Sequence, residues 1–413
     1  MKLFIIPKPV LSNQMDVVAY VFRYKKVDAN FMTQPSREFD DSTSSLCLSL
    51  LESVGLDGFT NGVQIFVPIT KLSLLMEIEK QIFEPAEKII FLLDNSITTE
   101  GVFVSGMKRL KDLGFRFALE GVKDYTGLDP VLELCDFLFI GANTQDYNDI
   151  ANNISRTHRH INMVLADVDD MSAFEKIKYG WFKLFEGKFF SVPTAKEYNT
   201  ISPIKVNSIQ LMNTVRNEDF DIEDIVKVVS QDPSLSIALL KFVNSPYIGV
   251  TQQIKTIQHA VAMLGQIEVR KWVTTATTEM LAGDKPDEIT KLSLMRAKFA
   301  ENLAPHFEMA IHAPSLFLMG LFSILDSVLE MPMEEALKII NVSDEIKLAL
   351  VSLKGKYANV LELIYKYEAA DWNEVYRLII LHNVNAEDVY NSYMNAVHWY
   401  KSIVSDKEMA EQE

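Results

Sequence analysis

The chain has 413 residues, 40 Lys and Arg against 56 Asp and Glu (net charge −16), and 48% hydrophobic residues. That balance opposes non-specific binding to nucleic-acid phosphates or anionic membranes, and it supplies enough apolar side chains for more than one core. With only Cys47 and Cys135, both in apolar settings, neither a disulfide framework nor a cysteine-based zinc site is expected, and a reducing, cytoplasmic compartment fits.

The apolar run 3–6 ends at Pro7 and Lys8, too short for a signal-peptide core. Short β-rich runs then recur at 17–24, 63–69, 88–93, 116–119, 137–140, 162–165 and 184–190. Helical patterns lie between several of them, such as 104–113 closed by Gly114 and 173–178 before Gly180. Such alternation predicts a parallel sheet, open or closed into a barrel, and the barrel is the preferred reading. Pro193 and Pro203 flank a polar stretch that predicts a hinge. The expected organisation is a barrel over 1–195, a hinge at 196–206, a helical domain over 207–404 and a frayed polar tail at 405–413.

The segment 231–265, QDPSLSIALLKFVNSPYIGVTQQIKTIQHAVAMLG, specifies two helices. Asp232 is suited to accept from free amides at a helix start, and Pro233 suits the first helical position. Leu235, Ala238, Leu239 and Phe242 repeat at helical spacing until Asn244, Ser245 and Pro246 break the pattern. Thr256 caps a second helix carrying Ile257, Val261 and Leu264, and Gly265 suits a positive-φ position past its end. Further on, 315–329 is apolar but interrupted by Asp326, short of a membrane span. Its residues Phe317, Gly320, Leu321, Ile324, Leu325 and Val328 predict one helix capped by Ser315. Helical patterns continue from Pro332 to 340, from Ser343 to 353, and over 360–367, 372–381 and 389–403.

The phrases DP-x-L, LL-x-x-V-N-S and A-x-x-x-L-G, carried by Asp232, Pro233, Leu235, Asn244, Ser245, Leu264 and Gly265, resemble the HDOD domain, a helical relative of the HD and HD-GYP metal phosphohydrolases. In the first half, IPKPVLSNQMDVVAYVFRYK, GFRFALEGV and GWFKLFEGKFFSVP resemble segments of EAL domains, the cyclic-di-GMP phosphodiesterase family. The resemblances imply a multidomain protein. It would have an N-terminal α/β modified TIM-type (β/α)8 barrel and a C-terminal all-α bundle.

Hydrolysis of a phosphodiester by two metal ions requires converging oxygen ligands at the C-terminal ends of barrel strands. The resemblance puts Val21 at the glutamate that names the EAL family, Pro68 at its asparagine and Phe91 at the next glutamate. It puts Glu120 and Gly121 at the paired aspartates, Phe139 and Gly141 at a lysine and an aspartate, Ala166 at a late glutamate and Glu186 at a glutamine. An acidic scatter survives, Asp94, Glu120, Asp167, Asp169 and Glu186, expected to be solvated strand-end charge. In the helical half, GLFSILD stands where HD enzymes carry His-Asp, with Ser323 and Ile324 at the two ligands. His306 and His312 are six apart, off the i, i+4 spacing of a helical metal pair.

The expectation is therefore a non-enzymatic bacterial-type signal-transduction or scaffold protein that acts through protein partners. No catalytic, metal or cofactor residues are assigned, and neither nucleic acid nor membrane is expected as a partner. A second reading stays open: a cyclic-di-GMP phosphodiesterase or cyclic-di-GMP-binding sensor in which the acidic scatter forms an altered site for Mg or Mn.

Overall fold

The computed structural model describes residues 3–26, 47–48, 51, 55, 59–60, 62–82, 84–122, 124–168, 170–192, 211–212, 214–215, 220–231, 233–244, 248, 254–281, 287–340 and 342–411. They form two compact units, one of Met1–Val192 with Lys366–Ile380 and the other of Pro193–Tyr365 with Leu381–Glu413. No described helix is long and apolar enough to cross a membrane.

Eight strands of the first unit close into a barrel in chain order: β1 (Leu3–Ser12), β2 (Val17–Lys26), β3 (Gln64–Ile69), β4 (Ile89–Leu93), β5 (Arg116–Leu119), β6 (Phe137–Gly141), β7 (Asn162–Val168) and β8 (Leu184–Gly187). β1 is antiparallel to both neighbours, β2 and β8, and all other adjacent pairs are parallel. The seven strands expected from composition are all present. β1 is additional: Pro7 and Pro9 interrupt the apolar run by which a strand is recognised.

The ladder explains why prolines are tolerated there. β8 pairs with β1 only at Val10, Leu11 and Ser12, so among the described residues the rest of that margin of β1 has no strand beside it. Backbone N–H groups alternate sides along a strand, so the nitrogens of Ile5, Pro7 and Pro9 share one side. The Ile5 N–H donates to the Tyr367 hydroxyl at 3.2 Å, and the two prolines have no N–H to leave unsatisfied. A proline-containing margin also presents no template for a foreign strand.

Tyr367 belongs to the helix Ala358–Glu368, and Trp372 and Tyr376 to the helix Trp372–Leu381. Their rings enclose Phe4 at centroid distances of 5.6, 5.8 and 5.5 Å, with Trp372 stacked and Tyr367 edge-on. Residues 366–380 thus pack with the barrel, although the helical period alone groups them with the helical half. Helical period reports that a face is buried. It does not report against what.

Strand alternation divides the barrel's apolar residues between two layers. Val10, Ala19, Val21, Phe66, Ile90, Leu92, Ala118, Phe137, Phe139, Val164 and Ala166 form one buried cluster along the axis. Phe66 meets Phe137 and Phe139 edge-on at 5.1 and 5.0 Å. Residues of the opposite parity pack elsewhere: Phe91 meets Phe115 at 5.0 Å, and Phe185 meets Phe174 at 5.0 Å. Cys47 and Cys135 are buried free thiols, and burial pushes the Cys135 thiol up to about 12.

In the second unit, the helices Ile222–Gln231, Pro233–Val243 and Ile257–Leu281 share a core containing Val229, Leu235, Leu239, Val261 and Trp272, with Leu264 packed against it. Pro233 opens its helix as the sequence indicates, and the Thr256 hydroxyl accepts from the His259 N–H. Gly265 has the expected positive φ (70°), but the helix resumes after it and runs to Leu281. Asp232 and Ser245 lie outside the described residues. Asn244 shows why an amide suits its position: its Nδ2 donates to the carbonyls of Leu240 and Ile254 at 2.7 and 2.8 Å, while its Oδ1 accepts from the Ile254 N–H at 2.7 Å.

Two expectations need correction. The helix Ala386–Glu411 continues through Ser405, where a frayed tail was expected, and Lys, Glu, Met and Ala are residue types that favour helix. The single helix expected over 315–329 is instead two, Ala313–Phe322 and Leu325–Leu329, separated at Ser323 and Ile324. Pro314 lies in its first turn, and no side-chain cap by Ser315 is formed.

Truncating Phe4 to Ala should cost about 3–5 kcal/mol, the usual range for emptying a packed aromatic site. It should also accelerate amide exchange in both β1 and the helix Trp372–Leu381, as read by hydrogen exchange on the intact chain. Asn244→Asp, which sets a carboxylate against two carbonyls, should cost about 1–3 kcal/mol in denaturant unfolding, and Asn244→Gln should not restore it.

Candidate functional site

The parallel strands direct their C-terminal ends to one mouth of the barrel, where a cavity of about 1230 Å³ opens. Arg23, Thr70, Asp94, Ser96, Glu120, Gly121, Phe139, Gly141, Asn143, Ala166, Asp167 and Glu186 are among the residues lining it. Strand parity delivers most of them. Arg23 continues the inward row Ala19 and Val21 on β2, Glu120 continues from Ala118, Gly141 from Phe139, and Glu186 from Leu184.

Four of the five acidic candidates converge on this cavity: Asp94, Glu120, Asp167 and Glu186. Asp169 lies outside the described residues. Asp94 is engaged locally, its Oδ1 accepting from the N–H and hydroxyl of Ser96 at 3.0 and 2.6 Å. Glu120 accepts from Arg23 Nη1 at 2.8 Å, with both side chains largely withdrawn from water (20% and 17% exposed). Burial disfavours the Arg23 charge, yet Glu120, with help from Glu186 and Asp167, outweighs it and holds the guanidinium pKa above its usual value. Lys8 shows the opposite balance. Burial, reinforced by Arg23 and Lys188, lowers its pKa despite the attraction of Glu186 and Asp167.

Asp167 owes its placement to an irregularity. The β7–β8 register shifts between Leu165 and Val168, and Asp167 has a φ of 60°. Its N–H points to Glu186 Oε2 at 3.4 Å. Gly187 makes this arrangement possible, since a Cβ there would lie 2.1 Å from the Val168 carbonyl oxygen. Glu186 itself is only 3% exposed, so the expectation of solvated strand-end charge fails for this residue.

The remaining positions marked by the resemblance are apolar or lack a side chain. Val21, Phe139 and Ala166 belong to the axial core, and Gly121 and Gly141 line the mouth. Phe91 faces the layer of Phe115 and Phe117, and the inward residue at that level of β4 is Leu92. Neither side chain holds a cation. These side chains do not fit a pair of divalent ions, and among the described residues no three His, Cys, Asp or Glu form a metal-holding group. Arg23 and Lys8 were not singled out from sequence. The available signal was parity, because Arg23 lies two residues beyond Val21.

In the second unit, Ser323 and Ile324 occupy the break between two helices. Arg296 Nη1 donates to the Ser323 hydroxyl and carbonyl at 3.1 and 3.3 Å, and its guanidinium lies 4.9 Å from the Tyr365 ring centroid. Gly320 lets the helices Asp287–Leu303 and Ala313–Phe322 approach, since a Cβ there would lie 2.4 Å from the Arg296 carbonyl oxygen. His306 Nδ1 stands 3.3 Å from Asp388, and His312 contacts Lys356, so the two histidines have separate partners. Asp326 is half-buried. Burial raises its carboxyl pKa, opposed by the Ser327 N–H and by Arg296.

A folded pKa above the unfolded one means that the native state binds the extra proton, so this contribution to stability is full below about 3.9 and lost as pH rises through the folded pKa. Asp326→Asn keeps an acceptor for Ser327. It should therefore stabilise the second unit at pH 7 and flatten the acidic part of its stability profile, as measured by thermal melts between pH 3.5 and 7.

Residues 202–347 match the model of the HDOD domain. Along nearly its whole length the chain is homologous to two proteins. It is 26% identical over 418 residues to the uncharacterized protein YuxH of Bacillus subtilis (strain 168), covering 98% of this chain and all of that one. It is 24% identical over 405 residues to the cyclic di-GMP phosphodiesterase CdgJ of Vibrio cholerae serotype O1, covering 97% and 93%. Among solved structures, the Xanthomonas citri FimX EAL domain in complex with c-diGMP matches with a TM-score of 0.37 and 16% identity over 48% of this chain and 90% of that one.

Proposed function

We propose that this chain is a cytoplasmic signalling protein that does not hydrolyse cyclic-di-GMP and regulates protein partners through its two units. The observation that carries this reading is the state of Glu120. The carboxylate surviving from the paired aspartates is bonded to Arg23 rather than left to hold a cation. Around it, Val21, Leu92, Phe139, Gly141 and Ala166 provide no oxygen ligand from a side chain, which supports a mouth that does not gather a catalytic metal pair. The break at Ser323, filled by Arg296, supports the same reading for the helical unit.

A second reading is favoured by one observation. The mouth retains a cavity of about 1230 Å³ with polar residues such as Asn95, Asn143 and Gln145, and the homologue CdgJ is named a cyclic di-GMP phosphodiesterase. On that reading the barrel binds the dinucleotide as a sensor.

Purified full-length protein incubated with cyclic-di-GMP and Mg or Mn should release no linear dinucleotide, and titration calorimetry with and without the metal should show no heat of binding. Metal-dependent turnover that disappears in Glu120→Ala would refute the proposal. Binding without turnover would establish the sensor instead.

A further inference from the structure

From Ile346 to Leu361 the chain carries Lys347, Lys354 and Lys356 and no acidic residue, in a protein whose net charge is −16. That stretch takes in most of the helix Asp344–Ser352 and the loop after it. Leu348, Val351 and Leu353 are 47%, 46% and 47% exposed. The loop folds back on the helix, since a Cβ on Gly355 would lie 2.7 Å from a methyl carbon of Leu348. Lys356 contacts His312, whose neighbour Ile311 is 87% exposed. Four apolar side chains and three lysines thus share one surface of the second unit. The acidic residues of the helix, Asp344 and Glu345, sit in its first turn, away from the loop, with Lys347 3.8 Å from Asp344.

Leu353 ends the helix in the left-handed conformation, φ 50° and ψ 44°, its N–H donating to the Ala349 carbonyl at 3.0 Å. Glycine holds such a place without strain, whereas the Cβ of leucine crowds the carbonyl that follows. Among the described non-glycine residues of positive φ, Leu353 is the one branched aliphatic. Half of its side chain nonetheless stands in water, so neither backbone preference nor burial accounts for its presence.

We propose that Leu353, with Ile311, Leu348 and Val351, is the apolar centre of a docking surface for a partner-protein segment in which carboxylates flank aliphatic or aromatic side chains. The inference rests on the proposed function and deepens it, by naming a surface and the chemistry of what it takes. Charge selects this occupant. The apolar side chains supply contact area, and Lys347, Lys354 and Lys356 at their margin complement carboxylates. A short acidic segment meets only the lysines within a screening length, whereas an extended anionic membrane would face the negative charge of the whole chain. A second copy docked through the same surface would set lysine against lysine, because a two-fold contact places like on like.

The test uses full-length protein and a fluorescein-labelled peptide with leucines at helical spacing flanked by glutamates, followed by fluorescence anisotropy. The wild type should bind it with a Kd of about 100 μM or tighter. Leu353→Gly, which removes the side chain and relieves the backbone, should weaken binding at least about tenfold while melting within about 3 °C of the wild type. Lys354→Glu with Lys356→Glu, a second variant at exposed positions, should weaken it by a similar factor, and so should replacing the peptide's glutamates with lysines. No binding by the wild type, equal binding by Leu353→Gly, or equal binding of the lysine peptide would overturn the inference. Retention on vesicles containing phosphatidylserine that is lost in Leu353→Gly would overturn it in favour of a membrane. A concentration-dependent dimer lost in that variant, read by sedimentation, would overturn it in favour of a second copy. Cyclic-di-GMP turnover by the wild type would instead overturn the proposed function, so the two failures are distinguishable.

Discussion

Closing eight strands on themselves imposes a constraint from which most of this molecule's features follow. Each residue along a barrel strand points alternately to the axis and to the surrounding layer, and a closed ladder permits no slippage between the two. The inward rows of β2, β5, β6 and β8 therefore end at fixed places around one mouth. What those places carry, Arg23, Glu120, Gly141 and Glu186, sets its chemistry. The same rows lower down carry Val21, Ala118, Phe139 and Leu184, which seal the axis with apolar packing. A charged rim over a dry plug strengthens the rim's internal pairings, because the low-dielectric floor offers no water to compete for them.

The two units meet the same physical demand in similar ways. In the barrel, the Arg23 guanidinium bonds the Glu120 carboxylate at the mouth. In the helical unit, a guanidinium donates to Ser323 at a break between helices, with Asp326 close enough to sense its charge. Arginine suits both places because its planar fork satisfies several acceptors at once and keeps its charge when withdrawn from water.

Much of the architecture was legible in local patterns. Seven strands, the helices on either side of Asn244, the positive φ of Gly265 and the cap by Thr256 all follow from spacing and side-chain chemistry within a few residues. One difference comes from dependence on distant partners. β1 was missed because two prolines look disruptive until the margin they occupy is seen to be unpaired. The facing of Phe91 was not legible, because an unbroken apolar strand shows no alternation from which to read its faces.

The sequence by itself determined the strand and helix alternation and the apolar character of the barrel axis. Those properties reside in residue type and spacing, which no folding event alters. Only the tertiary structure decided that Arg23 and Glu120, ninety-seven positions apart, share a bond, that Asp167 turns to the mouth, and that Trp372 and Tyr376 close over Phe4. These contacts join segments remote along the chain, and their geometry exists only once the ladder has closed and fixed which faces meet.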